Sequence, residues 1–280
     1  MKQFTTIPEL RAYRAHLSQK AKTLALVPTM GALHDGHISL VSEGLKHADE
    51  TIVSIFVNPT QFGPNEDFEA YPRNIEQDME KLKGAGVSAV FTPSVKTMYP
   101  DPFYTQVQIS DITAPLEGQF RPGHFDGVAT IVAKLLMQIM PDTALFGEKD
   151  YQQLLLIQTM TRDLDIPVNI IGVPTMRDEN GLALSSRNAY LSAAEYDIAT
   201  QLNKILRDCA AQITRGNSIP TTLAKGRKAI TEAGFQSVDY LDIRDARTMA
   251  PVKKHDPAQP ARLLVAAHLG KARLIDNIAV

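Results

Sequence analysis

The sequence predicts an α/β protein in which a doubly wound parallel sheet, over residues 1–176, is followed by a smaller α+β domain over residues 177–280. Three observations carry that expectation. Over the first two-thirds of the chain, short β-branched runs alternate with segments of helical periodicity, the rhythm of βαβ units. Strand-like runs such as Thr51–Val57 are apolar on both faces, as a parallel sheet covered by helices on each side requires. The rhythm then breaks in a stretch rich in Gly, Asp, Asn and Ser, Pro174–Asn188, beyond which helices come first and strands last.

In chain order, Thr23–Val27 reads as a strand, His37–Ala48 as a helix, Thr51–Val57 as a strand, Arg73–Leu82 as a helix and Val87–Thr92 as a strand. Gly127–Ile139 reads as a helix, Thr143–Phe146 as a strand, Tyr151–Leu164 as a helix and Val168–Val173 as a strand. Ser192 and Glu195 form a capping-box signature that opens one long amphipathic helix reaching Ile213. A second helix follows Pro220 and stops near Gly234, and the strands Val238–Ile243, Leu263–Ala267 and Arg273–Ile278 close the chain.

Composition bounds the function. The 280 residues are enough for a substantial core, with 44% apolar and 21% charged residues. A formal net charge of -2 leaves no field to draw nucleic acid or an anionic membrane. The single cysteine, Cys209, excludes an internal disulfide or a zinc-ribbon cluster, and its helical spacing with Leu202, Leu206 and Ile213 makes it a small buried hydrophobe. No apolar run reaches the ~18–20 residues of a membrane span, and the N-terminus lacks the apolar stretch of a signal peptide, so the expected location is the cytoplasm.

In an open α/β sheet, ligands bind beyond the carboxyl ends of the strands. The unusual residues of this chain follow those ends: Met30-Gly31-Ala32-Leu33-His34-Asp35-Gly36-His37, Asn58–Gly63 with Gln61, Gly147-Glu148-Lys149-Asp150, and Pro174-Thr175-Met176-Arg177. His34 and His37 flank a glycine at a helix start, where unpaired N–H groups and the helix dipole favour phosphate. The same pair also reads as a His-x-x-His metal site, without an obvious third ligand, or as two surface histidines. Lys149 reads as a mobile phosphate contact or a solvated lysine, and Asp150 with Gln153 as a capping box. Ser185-Ser186-Arg187-Asn188 offers two hydroxyls and a guanidinium to a polyphosphate, or forms an ordinary turn. Gln61 and Gln153, which donate and accept without charge, suit a hydroxylated substrate, or are surface amides. Neither a Walker-type loop nor a dinucleotide fingerprint is present.

Together these segments resemble the pantoate–β-alanine ligase family. The resemblance is carried by Pro28–His37, Phe56–Phe62, Arg121–Val128, Phe146–Gln153, Leu184–Asn188 and, near the end, Arg273–Asn277. It implies a Rossmann-like fold of the nucleotidyltransferase type, related to class I aminoacyl-tRNA synthetases, whose His-Ile-Gly-His motif would correspond to His34-Asp35-Gly36-His37. It implies ATP, Mg²⁺ held through the ATP phosphates, pantoate and β-alanine as ligands, and a homodimer. It carries ATP contacts onto Met30–His37, Gly147–Asp150, Met176 and Leu184–Arg187, and pantoate contacts onto Gln61 and Gln153, with Gln61 also near β-alanine.

The expected chemistry is two-step. A carboxylate attacks the α-phosphorus of ATP, with His34, His37, Lys149 and Arg187 as the catalytic set; an amine then attacks the acyl-adenylate, with His37 as the proton-transfer group. A reactive adenylate needs shielding from water, so the second domain is expected to act as a lid hinged near Pro174–Asn180. Two other readings stand beside it: another nucleotidyltransferase with a stable nucleotidyl product, or a non-catalytic nucleotide-binding module.

Overall fold

The computed structural model describes residues 1–64 and 66–280. The chain forms two compact units: Met1–Glu148 with Gln153–Pro174, and Lys149–Gln152 with Thr175–Val280.

In the first unit the strands are β1 (Lys2–Phe4), β2 (Leu24–Thr29), β3 (Glu50–Ile55), β4 (Ala89–Phe91), β5 (Thr143–Gly147) and β6 (Asn169–Val173). The helices are α1 (Ile7–Gln19), α2 (Asp35–His47), α3 (Ile75–Gly84), α4 (Val95–Met98), α5 (Glu117–Phe120), α6 (His124–Ile139) and α7 (Tyr151–Asp163). The described strands form one parallel sheet in the order β1-β4-β3-β2-β5-β6. Successive strand residues point to opposite faces. Leu24, Leu26, Ala144 and Phe146 pack with α1, α6 and α7, whereas Ala25, Val27, Val53 and Leu145 pack with α2 and α3. The helices that carry the chain from β2 to β3 and β4 therefore lie on one face, and those stepping the other way lie on the opposite face, as one hand of crossover demands. The direction of winding reverses between β2 and β5, which is where an open sheet leaves a crevice.

β1 and α1 are elements the hydrophobic pattern did not pick out. α1 has a complete capping box, Thr6 with Glu9, and buries Leu10, Tyr13 and Leu17 at helical spacing. Two helices begin earlier than their apolar periodicity: α2 because His34 supplies its cap, and α6 because Gly123, at φ 79°, turns the chain into it.

The second unit holds α8 (Ala193–Ala199), α9 (Gln201–Thr214), α10 (Ile219–Glu232) and an antiparallel sheet of β7 (Ser237–Asp245), β8 (Ala261–Leu269) and β9 (Ala272–Ala279). The Ser192–Glu195 capping box is present, but the single helix expected to reach Ile213 is divided at Thr200, whose hydroxyl donates back to the Asp197 carbonyl at 2.8 Å. Cys209 is a buried, free thiol. A Cβ on Gly226 would stand 2.6 Å from its sulfur, so α10 seats on α9 only through a glycine.

Candidate active site

The sheet brings four ligand-type segments to one edge. Thr29 pairs with Ile55, Leu26 with Ala144, and Gly147 with Val173, so the carboxyl ends of β2, β3, β5 and β6 stand level. The Met30–His37 loop leaves β2, Asn58–Gly63 follows β3, and Gly147–Glu148 closes β5. Gln153 lies in the first turn of α7.

The loop after β2 runs through two left-handed residues, Gly31 (φ 84°) and Ala32 (φ 51°). Its N–H groups are gathered by Asp78 of α3: Ala32 N–H donates to Oδ2 at 2.9 Å and Leu33 N–H to Oδ1 at 2.8 Å. Lys81, one turn later, donates from Nζ to the Leu33 carbonyl. Gly31 is required twice over, because a Cβ there would stand 3.1 Å from Asp78 Oδ2 and its φ is positive. The carboxylate thus occupies amides that would otherwise form an anion nest. Leu33 is itself buried, with its main-chain N–H and carbonyl both engaged by α3.

His34 then caps α2. Its Nδ1 accepts the Gly36 N–H at 3.1 Å, and His37 Nδ1 accepts the His34 N–H at 3.3 Å. The two rings stand 4.1 Å apart, tilted by 45°. A nitrogen that accepts an N–H carries no proton of its own, so each neutral imidazole bears its hydrogen on Nε2. Asp35, the first helical residue, is exposed, and its negative charge suits a helix N-terminus on dipole grounds alone.

Gln61 ends a 3-10 turn, Pro59–Gln61. Its side-chain oxygen accepts from Asn58 Nδ2 at 3.0 Å, which turns its amide nitrogen away from Asn58 as a donor. Asn58 is fully buried and itself held: its Nδ2 also donates to the Gly127 carbonyl at 3.2 Å, and its Oδ1 accepts from the Tyr99 hydroxyl at 2.8 Å. Burial pushes the Tyr99 pKa up, keeping that hydroxyl a donor. Beneath the turn, a Cβ on Gly127 would stand 2.2 Å from the Thr60 carbonyl oxygen, so α6 can approach it only at a glycine.

The Gln61 carbonyl accepts from His124 Nδ1 at 2.8 Å and from Arg121 Nη2 at 3.3 Å. A carbonyl only accepts, so His124 holds its proton on Nδ1, and its Nε2 takes the Arg121 Nη1 hydrogen at 3.0 Å. Burial, reinforced by the Arg121 charge, pushes the His124 pKa down to about 4. Arg121 in turn forks onto Glu66 through two bonds of 2.7 Å. Burial pushes the Glu66 carboxyl up, but its hydrogen bond and charge pairing with Arg121 more than reverse this and leave it below its ordinary value.

Lys149, Met176 and Leu184–Arg187 belong to the second unit. Lys149 lies in a 3-10 turn, Glu148–Asp150, that runs directly into α7. Asp150 is the last residue of that turn and immediately precedes α7. The stretch expected as a plain loop is a tight hairpin. Leu184 N–H donates to the Met176 carbonyl at 3.0 Å, Asp178 N–H to the Leu182 carbonyl at 3.0 Å, and Gly181 turns at φ 89°. Met176 and Leu184 are thereby neighbours. Ser185 caps the 3-10 turn Ser186–Tyr190 by accepting the Arg187 N–H at 3.3 Å, so the tetrapeptide is a capped turn whatever else it does.

Comparison with known proteins decides the family. The pantoate-beta-alanine ligase family model matches residues 2–279. The chain belongs to the pantoate–β-alanine ligase family. A pantothenate synthetase from Novosphingobium aromaticivorans is 50% identical, covering 100% of this chain and 99% of the relative. Among solved structures, pantothenate synthetase from Thermus thermophilus has a TM-score of 0.92 at 44% identity, covering 99% of each chain. The pantoate-beta-alanine ligase from Francisella tularensis, described as complexed with beta-gamma ATP and beta-alanine, has a TM-score of 0.83 at 37% identity, covering 99% of this chain and 97% of that one.

Within this family member, sequence reasoning missed Asp78, Lys81, Tyr99 and Glu66, and it quoted Asn58, Arg121 and His124 within motifs without giving them the holding role they have. One signal was available. Asp78 shares a helix face with Leu82, so an acid stood on the apolar side of α3.

Proposed function

We propose that this chain joins (R)-pantoate to β-alanine through a pantoyl-adenylate, with ATP as co-substrate, releasing pyrophosphate and AMP. The observation that carries the reading is the paired histidine cap. Both rings accept at Nδ1 and so donate at Nε2, at a helix start whose dipole already favours anionic oxygen. Family membership supports the ligand set, and the Francisella relative's complex with beta-gamma ATP and beta-alanine supports an ATP-type ligand together with β-alanine.

In the first step a pantoate carboxylate oxygen attacks the α-phosphorus, the bond to the bridging oxygen breaks, and pyrophosphate leaves with the electron pair. Charge grows on phosphoryl oxygens, so prearranged donors supply most of the acceleration. His34, His37, Lys149, Ser185, Ser186 and Arg187 are those donors in this reading. Met30–His37, Gly147–Asp150, Met176 and Leu184–Arg187 form the nucleotide contacts. Gly147 supports this role: its φ is not positive, and a Cβ there would meet no described atom within 4 Å, so neither strain nor packing accounts for the glycine.

Gln61, donating from Nε2, and Gln153 hold pantoate through its oxygens. In the second step the neutral β-alanine amine, near Gln61, attacks the acyl carbon, the acyl–phosphate bond breaks, AMP leaves and the amine loses a proton. With its proton on Nε2, His37 donates to oxygen, and accepting a proton would require it to release the His34 N–H. We therefore assign it phosphate donation in preference to the base role for the amine.

Mg²⁺, bound through the phosphates, would supply compensating positive charge. An ion of this kind keeps several of its waters and is held mainly through phosphate oxygens. The reading includes a cytoplasmic homodimer, supported by the family resemblance; among the described residues no helix is long and apolar enough to cross a membrane.

The test is pyrophosphate and AMP release by purified protein with ATP and Mg²⁺. Pyrophosphate that requires pantoate, and AMP release that requires β-alanine, are expected. ATP binding with no pyrophosphate would leave a nucleotide-binding module, and a stable nucleotidyl product would mark a different transferase.

A further inference from the structure

The segment Arg273–Asn277 carries family resemblance, yet none of its residues has a part in the chemistry above. The structure gives two of them a shared task. Asn277, 3% exposed on β9, uses both ends of its amide: Nδ2 donates to the Lys149 carbonyl at 2.8 Å, and Oδ1 accepts from Arg262 Nη1 of β8 at 2.8 Å. The Arg262 guanidinium lies 3.9 Å over the ring of Tyr151, two residues after Lys149, and the Tyr151 hydroxyl donates to the Ala246 carbonyl at 3.0 Å. Asp276 forks onto Arg177 at 2.7 and 2.8 Å, so the same strand also holds the residue after Met176. Four residues, Lys149–Gln152, group with the second unit although the chain on either side of them groups with the first.

We infer that Asn277 and Arg262 are positioning residues for Lys149. In this role they act through Lys149 and not on substrate. They fix the backbone from which the Lys149 ammonium, a point charge on a flexible stem, reaches phosphate. An ammonium that must meet developing charge depends on where its stem begins, and a displacement near 1 Å costs on the order of 10²-fold in rate. The inference rests on the phosphate role proposed for Lys149.

The experiment uses the full chain and the pantoate-dependent release of pyrophosphate in single turnover. Asn277→Asp keeps the side-chain shape and an acceptor for Arg262, but replaces the donor to the Lys149 carbonyl with a second acceptor. It is expected to lower the rate of pyrophosphate formation roughly 10- to 100-fold, with KM for pantoate within about twofold of the parent. The deciding measurement is the cycle with Lys149→Met. If Asn277 acts through Lys149, adding Asn277→Asp to Lys149→Met lowers the rate by less than about twofold, because the group being positioned is gone. Effects that multiply, or an Asn277→Asp rate equal to that of the parent, would overturn the inference. Should Asn277→Asp lose its near-ultraviolet circular dichroism, Arg262→Met, partly exposed on the neighbouring strand, removes the stack on Tyr151 and the donor to Asn277 and enters the same cycle with the same criteria. A parent protein that forms no pyrophosphate would instead sink the proposed function, and this inference with it, before any variant is compared.

Discussion

Replacing Asp78 with asparagine tests how the signature loop is held. The side chain is 2% exposed and accepts two backbone N–H groups, at 2.9 and 2.8 Å, from Ala32 and Leu33. Asparagine keeps one acceptor, but its NH₂ faces the other N–H, so one buried amide loses its bond and meets a donor. A hydrogen bond to a charged acceptor contributes roughly 1.5–3 kcal/mol, and an unsatisfied buried donor costs a similar amount. The expected loss is about 2–3 kcal/mol, or a Tm lower by roughly 5–10 °C for a unit of this size. Leu33 immediately precedes His34, so a loop that shifts by about 1 Å should also lower pantoate-dependent pyrophosphate release on the order of 10²-fold. Thermal melting and single-turnover pyrophosphate release measure the two effects separately. An Asp78→Asn protein that melts within about 1 °C of the parent and keeps kcat/KM for ATP within about twofold would refute the reasoning.

Three further outcomes follow from the same geometry. His34→Asn preserves a good helix cap but removes the Nε2 donor, so the Tm should stay within a few degrees while pyrophosphate formation falls on the order of 10²–10³-fold; equal rates would show that the ring only caps. His124 stays neutral down to about 4 in the folded protein, against an ordinary value of 6.5. The unfolded chain therefore takes up the proton first, and the contribution of His124 is fully present above about 6.5 and is lost as pH falls towards 4. His124→Asn, which keeps a donor for the Gln61 carbonyl but cannot titrate, should flatten the fall in urea midpoint between pH 7 and pH 4.5, and parallel pH profiles for parent and variant would contradict this. Gly127→Ala drives a Cβ to within 2.2 Å of the Thr60 oxygen and should raise KM for pantoate several-fold with a loss of about 1–3 kcal/mol, read by steady-state kinetics and urea titration.

The fold was largely legible because its signals are redundant. β2, β3, β5 and β6 are apolar runs bounded by turn residues, and each is followed or preceded by a helical period. Short elements with one signal were not: β1 is three residues of mixed polarity, and α1 shows only Leu10, Tyr13 and Leu17 on its buried face. The division of α8 from α9 falls at Thr200, whose hydroxyl bonds back to the Asp197 carbonyl, a feature that periodicity does not register.

At the candidate site, the boundary between what could be read and what could not follows chemistry. Histidines flanking a glycine, or a serine pair beside an arginine, each leave several readings open alone, and it is their joint spacing along the chain that narrows the possibilities. The residues that hold them act on main-chain groups, which are the same at every position. Asp78 holds two amides, His124 and Arg121 a carbonyl, and Asn277 another carbonyl from 128 residues away. Nothing in the identity of a backbone amide announces its partner; only the fold brings the two together. An aspartate on an apolar helix face is as much as the sequence can display of such a contact, because the cost of burying it is local while the bonds that offset that cost are not. The Gln61 turn, the His34 cap and the Lys149 turn are in this sense each held locally by residues whose own chemistry is unrelated to phosphate or acyl transfer. Substitutions at those supports should accordingly be judged by the donor or acceptor they leave facing the main chain, and not by their resemblance to a catalytic group.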